Sequence, residues 1–338
     1  MIVPPLEEVL AGAVAFAVPL RAPFRGLRER EGLLIKGPSG WGEFAPFDDY
    51  DDLHAGRWLA ASIEAAWGSW PDPLREAIEV NAIIPDVDST QAGMLAREAV
   101  REQGCRTIKV KVGRSLAEDE ARVVAVRDAL DTAGVDGRIR LDANAAWSLD
   151  EALLSLRRLC SYGIEYVEQP CADLVDVVRV REELGVPVAV DEIIRRAQDP
   201  SAVRLAGMVD YAICKPMTLG GVQATLEIAA SLGVPVVVSG SLDTSVGLAA
   251  SIAAAAALPE LITACGLGTG VLLARDVTSE PVVPCEGRVP VGRIAPDLDA
   301  LVQATQAITE DRARGWRDRL QRAYASYARM HADPRMEG

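Results

Sequence analysis

Apolar positions recur along this chain in two rhythms. Runs of four to eight residues with alternating or continuous apolar positions predict strands, and longer stretches with apolar residues every three or four positions predict helices. From about residue 79 the two rhythms alternate. Strands are expected near 79–83, 107–112, 138–142, 164–168, 187–191, 208–215, 235–239 and 261–266, eight in all. The helices between them are well punctuated. Ser115 with Glu118 and Ser148 with Glu151 fit capping boxes, and Gly104, Gly134, Gly163, Gly185 and Gly233 stand where helices should stop. Eight alternating units with ionisable groups gathered at one end predict an α/β fold, a (β/α)8-type barrel (modified TIM barrel), rather than an open doubly wound sheet. No GxGxxG or Walker sequence follows the first strand, which further weakens a nucleotide-binding alternative.

The flanks break this rhythm. Residues 1–78 predict strands at 12–17 and 31–36 and a helix at 53–67. Two loops at 19–27 and 45–52, rich in proline, glycine, aromatic and charged residues, are candidate lids. After about 277 comes VTSEPVVPCEGRVPVGRI and then one amphipathic helix from Asp297 to about Met330. This tail is expected to return onto the amino-terminal part. The predicted organisation is a catalytic barrel at 79–276 and a smaller α+β capping domain built from both termini, 1–78 plus 277–338.

Composition narrows the function. A chain of 338 residues, 49% hydrophobic, suits one large barrel with a smaller unit. A formal charge of −14 argues against a nucleic-acid or anionic-membrane surface, either of which needs a basic patch. The apolar start MIVPPLEEVLAGAVAFAVPL lacks the basic opening of a signal peptide and carries Glu7 and Glu8 instead. The Ala-rich run 246–258 is shorter than the roughly 20 residues that span a bilayer and reads as a helix packed on a sheet. Cys105, Cys160, Cys171, Cys214, Cys265 and Cys285 show no CxxC or zinc-like spacing, so reduced, mostly buried thiols and a cytoplasmic setting are expected. Nothing in the sequence sets the oligomeric state.

The candidate chemistry lies on a ladder. Asp142 closes RIRLD, Glu168 closes GIEYVE, Asp191 closes VPVAVD and Lys215 closes VDYAICK, at intervals of 26, 23 and 24 residues. One interval is one strand plus one helix, so all four groups point into the mouth at the carboxyl ends of the strands. An acid after a strand is often only a helix cap, but three in successive units would repel one another unless a cation sits between them. The two histidines, His54 and His331, are off the ladder, so the ligands are all hard oxygens and favour Mg²⁺ or Mn²⁺. In TIKVKVG, alternation places Lys109 and Lys111 on one face and Ile108, Val110 and Val112 on the other, so both lysines enter the barrel if the valines face the helices. Lys215, four strands away, faces them across the ring. Only four of the 35 basic residues are lysine (Lys36, Lys109, Lys111, Lys215), and lysine, unlike arginine, can give up its proton in a protein. Together these groups suit removal of a proton next to a carboxylate, where a divalent ion stabilises the enediolate by several kcal/mol.

These motifs (KVK, LDAN, VEQP, VDE and the sixth-strand lysine) resemble the enolase superfamily in its muconate-lactonizing-enzyme-like branch, over nearly the whole chain. Superfamily sites with a lysine or histidine base and Mg²⁺ are an established pattern. The resemblance implies that Asp142, Glu168 and Asp191 ligate Mg²⁺, that Lys111 is the acid/base on one face with Lys215 on the other, and that Lys109 tunes Lys111. Within the branch the sequence is most similar to the o-succinylbenzoate synthase family of menaquinone biosynthesis. That likeness implies a small carboxylate substrate, a succinyl-hydroxycyclohexadiene carboxylate, dehydrated on one face by Lys111 while Lys215 steadies the enediolate. RIRLDAN and SGSLDTSVG resemble that family's substrate-facing segments, making Arg140, Asn144, Ser239, Gly240, Ser241 and Gly266 candidate contacts. The rival is a dipeptide epimerase or N-acylamino acid racemase with two lysine bases. Dipeptide epimerases usually carry Asp-x-Asp after strand eight, where this chain has Gly266 and Gly268 in CGLGTG. A Schiff-base aldolase would not need three converging acids, and a non-catalytic metal-binding barrel is separable by an activity screen.

Overall fold

The computed structural model describes residues 3–331; the side chain of His331 lies outside the described residues. A short helix α1 (Leu6–Ala11) precedes an antiparallel sheet of β1 (Ala13–Phe24), β2 (Leu27–Gly37) and β3 (Gly40–Phe44), in that order. The stretch 19–27, expected as a loop, is mostly ladder. β1 runs on to Phe24, and Arg25 and Gly26, with φ of 52° and 77°, make the turn. Pro19 concealed this, but β1 is an edge strand and the register shifts between Pro19 and Phe24, where a missing N–H costs no ladder bond.

Helix α2 (Asp52–Trp67) covers this sheet, capped by Asp51 accepting from His54 N at 2.9 Å. Trp58, Leu59 and Ile63 pack on Leu33, Ile35 and Phe44. The approach is close at β3: a Cβ added at Gly42 would stand 2.0 Å from the carbonyl oxygen of Ser62, whose hydroxyl in turn donates to Glu43 O.

The predicted first strand is divided. β4 (Ala77–Glu79) pairs antiparallel with β12 (Arg288–Pro290), and the chain then enters the barrel as β5 (Ala82–Ile84). The parallel sheet continues through β6 (Thr107–Lys111), β7 (Arg138–Asp142), β8 (Ile164–Glu168), β9 (Val188–Val190), β10 (Tyr211–Cys214) and β11 (Val236–Val238), neighbours in that order. The expected eighth strand is reduced to single bridges, Ser239 to Gly266 and Cys265 to Val80, which close the ring. Gly266 N donates to Val238 O at 2.8 Å and Asn81 N to Cys265 O at 2.9 Å. The result is the modified parallel barrel the sequence predicts.

The outer layer is α3 (Ser89–Arg101), α4 (Leu116–Thr132), α5 (Leu149–Leu159), α6 (Leu174–Leu184), the one-turn α7 (Glu192–Arg195) and α8 (Pro216–Leu219), α9 (Val222–Leu232) and α10 (Ser245–Ala257). Ser115 caps α4, and Ser148 with Glu151 forms a full capping box on α5. Gly185 and Gly233, at φ 63° and 74°, end α6 and α9 in the left-handed conformation that glycine adopts freely. The tail is two helices where one was expected, α11 (Leu298–Ala307) on β1 and α12 (Glu310–His331) on α2. The break falls at Ile308, because Thr309 caps a new helix by accepting from Arg312 N at 3.3 Å.

Among the described residues no helix is long and apolar enough to cross a membrane. All six cysteines are unpaired; four are fully buried and Cys285 is exposed. From the β3–α2 contact, Gly42→Ala should cost about 1–3 kcal/mol through overpacking against backbone. A urea midpoint that falls without a change in slope would register it.

Candidate active site

Strand register builds the site. Lys111 is level with Asp142 and Asp142 with Glu168, while one layer below Lys109 is level with Arg140 and Arg140 with Tyr166. Ile108 and Val110, on the other parity, are wholly buried, as the alternation in TIKVKVG requires. Asp191 follows β9 and Lys215 follows β10, so the ladder groups stand at the carboxyl ends of neighbouring strands.

Lys109, 5% exposed, places Nζ 3.0 Å from Asp142 Oδ2 and 3.0 Å from Glu168 Oε2. Lys111 Nζ lies 2.6 Å from Asp142 Oδ2 and 2.5 Å from Asn144 Oδ1. Asp191 is gripped by Lys215 at 2.7 Å and by Arg195 Nε at 2.9 Å. Burial works against charge at Asp142, but Lys109 and Lys111 hold its carboxyl well below the usual carboxylate range. Burial also opposes the charge on Lys109, yet Asp142 and Glu168 outweigh it and hold the ammonium above its ordinary value. At Lys111 burial prevails: it pushes the amine below its ordinary value, Lys109 adds to the effect, and Asp142 only partly offsets it. Glu168 is pushed up by burial and by Asp142.

Among the described residues no three carboxylate, imidazole or thiol groups form a preassembled metal cluster. The donor set nonetheless suits a hard divalent cation. Three buried carboxylates end successive strands, and Glu192 beside them keeps a buried Oε2 with no partner. Burial and then Asp191 push Glu192 up to about 7, although Arg195 NH2 stands 2.5 Å from its Oε1 and Lys215 acts in the opposite direction. Glu192 is a residue the sequence reading missed. Its signal was the second acid of VDE, next to the ladder acid Asp191.

Lys109, Lys111, Asn144, Lys215, Ser239, Gly240, Ser241 and Gly266 line one pocket above the acids. Phe24 and Arg25 from the hairpin tip and Phe47 and Tyr50 from the 45–51 segment complete it, so both candidate lid segments contribute side chains. The Phe24 ring centroid is 5.8 Å from Lys111 Nζ. Tyr50 accepts a hydrogen bond from Arg195. Such aromatic contributions from another part of the chain carry no local spacing signal.

Arg140 is the exception: it does not reach the pocket. It is fully buried one layer down, with Nε 2.6 Å from Glu165, NH1 donating to Asn81 Oδ1 at 2.8 Å, NH2 donating to Thr263 at 2.7 Å, and its guanidinium 4.7 Å from the Tyr166 ring centroid. Each of its three guanidinium nitrogens donates to the barrel itself. Alternation explains the placement, since two residues along β7 is one layer of depth. Gly266 and Gly268 have a steric cause as well. A Cβ at Gly266 would meet Ser239 Oγ at 2.5 Å, and one at Gly268 would meet Asn81 O at 2.6 Å. Aspartates at these positions would clash with their surroundings.

A parallel barrel whose strand ends gather three acids and facing lysines, under a cap from both termini, defines the enolase-like class. The Enolase C-terminal domain-like family matches residues 91–320 and the Enolase N-terminal domain-like family matches residues 15–66. The chain belongs to the enolase superfamily. It is 47% identical over 323 residues to o-succinylbenzoate synthase of Thermobifida fusca (strain YX), covering 95% of this chain and 98% of that protein. It is 44% identical over 328 residues to o-succinylbenzoate synthase of Mycobacterium tuberculosis (strain ATCC 25618 / H37Rv), covering 96% and 97%. Its fold is similar to muconate lactonizing enzyme from Pseudomonas fluorescens, with TM-score 0.72 at 21% identity over 86% of this chain and 97% of that one. It is also similar to the L-Ala-D/L-Glu epimerase from Bacillus subtilis, with TM-score 0.68 at 24% identity over 85% and 98%.

The placement of Arg140 yields a separable expectation. Arg140→Met breaks a buried ion pair and should cost about 3–5 kcal/mol. Chemical denaturation should register that loss while KM stays within about twofold of the parent, the pattern of a residue that makes no substrate contact.

Proposed function

We propose that this chain is an o-succinylbenzoate synthase. It is a hydro-lyase that removes water from 2-succinyl-6-hydroxy-2,4-cyclohexadiene-1-carboxylate to give 2-succinylbenzoate in menaquinone biosynthesis. Near-full-length likeness to synthases at 44–47% identity carries the reading. It is supported by a pocket in which Lys111 and Lys215 stand over buried acids.

In this reading Lys111 takes the proton α to the carboxylate and returns it to the leaving hydroxyl on the same face. The C–H and C–O bonds break, a ring double bond forms, and water departs. Burial and the Lys109 charge favour the free amine that a base requires. Asn144 Oδ1 and Asp142 hold Lys111 Nζ in place. Lys215, anchored by Asp191, supplies a fixed positive charge toward the enediolate. Asp142, Glu168 and Asp191 would hold Mg²⁺, with Mn²⁺ a substitute. When bound, that ion supplies Lewis-acid stabilisation of the substrate carboxylate. The substrate is a small carboxylate, consistent with a pocket lined by four basic side chains besides Lys109: Arg25, Lys111, Arg195 and Lys215.

A second reading has one observation in its favour. Lys111 and Lys215 both line the pocket, so an N-acylamino acid could exchange its α-proton through either amine.

The purified protein should convert the hydroxycyclohexadiene carboxylate to product, followed by ultraviolet absorbance, and should act far more slowly on N-succinylamino acids; the reverse order would favour the racemase. EDTA should silence turnover, and Mg²⁺ or Mn²⁺ should restore it. Lys111→Ala should lower kcat by about 10²–10⁴-fold or more with an unchanged circular dichroism spectrum, and near-parental turnover would remove Lys111 as the base.

A further inference from the structure

The turn that follows β11 lines the pocket through Ser239, Gly240, Ser241 and Leu242, yet its own residues do little to hold it. Leu242 has φ of 61°, a left-handed conformation unfavourable for a side chain of that size. Within the turn, Ser241 N donates to Asp243 Oδ2 at 2.7 Å. Helix α10 begins at the next residues, but its N-cap Thr244 makes no side-chain cap bond to the helix.

Asp276 accepts from Ser245 N at 3.2 Å and from Ser245 Oγ at 2.7 Å at the start of α10, and the other constraints come from the antiparallel sheet. Arg30 on β2, 2% exposed, donates from Nε to Leu242 O at 2.9 Å, bonds Ala45 O through NH2, and lies 4.5 Å over the Phe47 ring. Glu43 on β3, 1% exposed, accepts from Thr244 N at 3.0 Å, from Thr244 Oγ1 at 2.5 Å and from Gly247 N at 3.2 Å. It therefore caps α10 from another part of the chain. The fit is close: a Cβ at Gly247 would stand 2.8 Å from Glu43 Oε2 and 2.9 Å from Asp243 Cβ. Two hydroxyls in the pocket lining, Ser241 Oγ and Thr269 Oγ1, are buried without a partner among the described residues. Buried hydroxyls otherwise find partners, so these two are free for a bound molecule.

We propose that Arg30 and Glu43 are positioning residues for substrate binding: from the antiparallel sheet they fix the Ser241–Leu242 turn and aim the Ser241 hydroxyl at the substrate. Neither residue touches the reacting atoms. They act through Leu242 O and through the first turn of α10. The inference uses the dehydration reading of this pocket only for its kinetic assay.

The variants are Glu43→Gln, which keeps size and one acceptor, and Arg30→Lys, which keeps a cation beside the acids but loses the forked geometry. Each should raise KM for the dehydration substrate about tenfold while kcat stays within about twofold, the signature of lost binding common to ground and transition states. Leu242→Gly accepts the left-handed conformation without strain, so adding it to Arg30→Lys should recover part of the lost KM. Hydrogen exchange followed by mass spectrometry gives a readout independent of the reaction. Amides of 241–247 should exchange faster in both variants, with α4 to α6 unchanged. Unaltered exchange in 241–247 would overturn the proposal whatever the activity. So would parental KM with only a lowered melting temperature, or a loss confined to kcat. An unmodified protein inactive on the dehydration substrate would count against the proposed function, and the exchange result would still decide this inference.

Discussion

Lys109 is the charge on which the site rests. It sits 5% exposed inside the barrel, equidistant at 3.0 Å from a carboxylate of β7 and one of β8. Two buried acids on adjacent strands repel strongly at low dielectric, and the layer is stable only if a cation lies between them. Lys109 fills that role from the base of the pocket. Lys111, one layer up on the same strand, has its proton affinity lowered by burial first, and the positive charge of Lys109 adds to that effect. Two residues of one strand thus divide the work: the deeper stays charged and holds the acids, and the shallower can exchange a proton.

The same division appears between the two parts of the molecule. The barrel supplies the ionisable groups from rigid strand ends, while the antiparallel sheet supplies what surrounds them. Its hairpin tip brings Phe24 and Arg25, the following segment brings Phe47 and Tyr50, and its strands send Arg30 and Glu43 to the turn after β11. A barrel alone would keep its acids and lysines but lose the apolar wall over them.

Most of the barrel was legible because local pattern and global fold agree there. The βα rhythm, the capping boxes at Ser115 and Ser148, and the parity of Lys109 and Lys111 all point the same way. Parity also exposes the main misreading: Arg140 shares the interior face with Asp142, so the sequence places it inward, but depth is not written in alternation. The Pro19–Phe24 ladder was hidden because proline and mixed polarity mimic a loop, and only pairing with β2 reveals a strand. The weak eighth stave was over-read because its apolar residues resemble a strand, while contacts at Gly266 and Gly268 leave room for bridges only. Long-range contributions such as Tyr50 on Arg195 and Glu43 on α10 have no sequence spacing and were invisible.

The preference for arginine over lysine has a practical corollary. Arginines staple backbone carbonyls throughout, as Arg75 does at Ala255, Ala256 and Leu258, and Arg319 at Pro46, Phe47 and Tyr50. Only four ε-amines remain: Lys36 is exposed on the sheet, Lys109 is almost wholly buried at the base of the cavity, and Lys111 and Lys215 open into it. Reagents that acylate or reductively alkylate primary amines therefore meet a molecule with three of its four lysine amines in the lining of one cavity. Among the lysine side chains, surface immobilisation by this chemistry would rest on Lys36, while modification of Lys111 or Lys215 would report on the cavity.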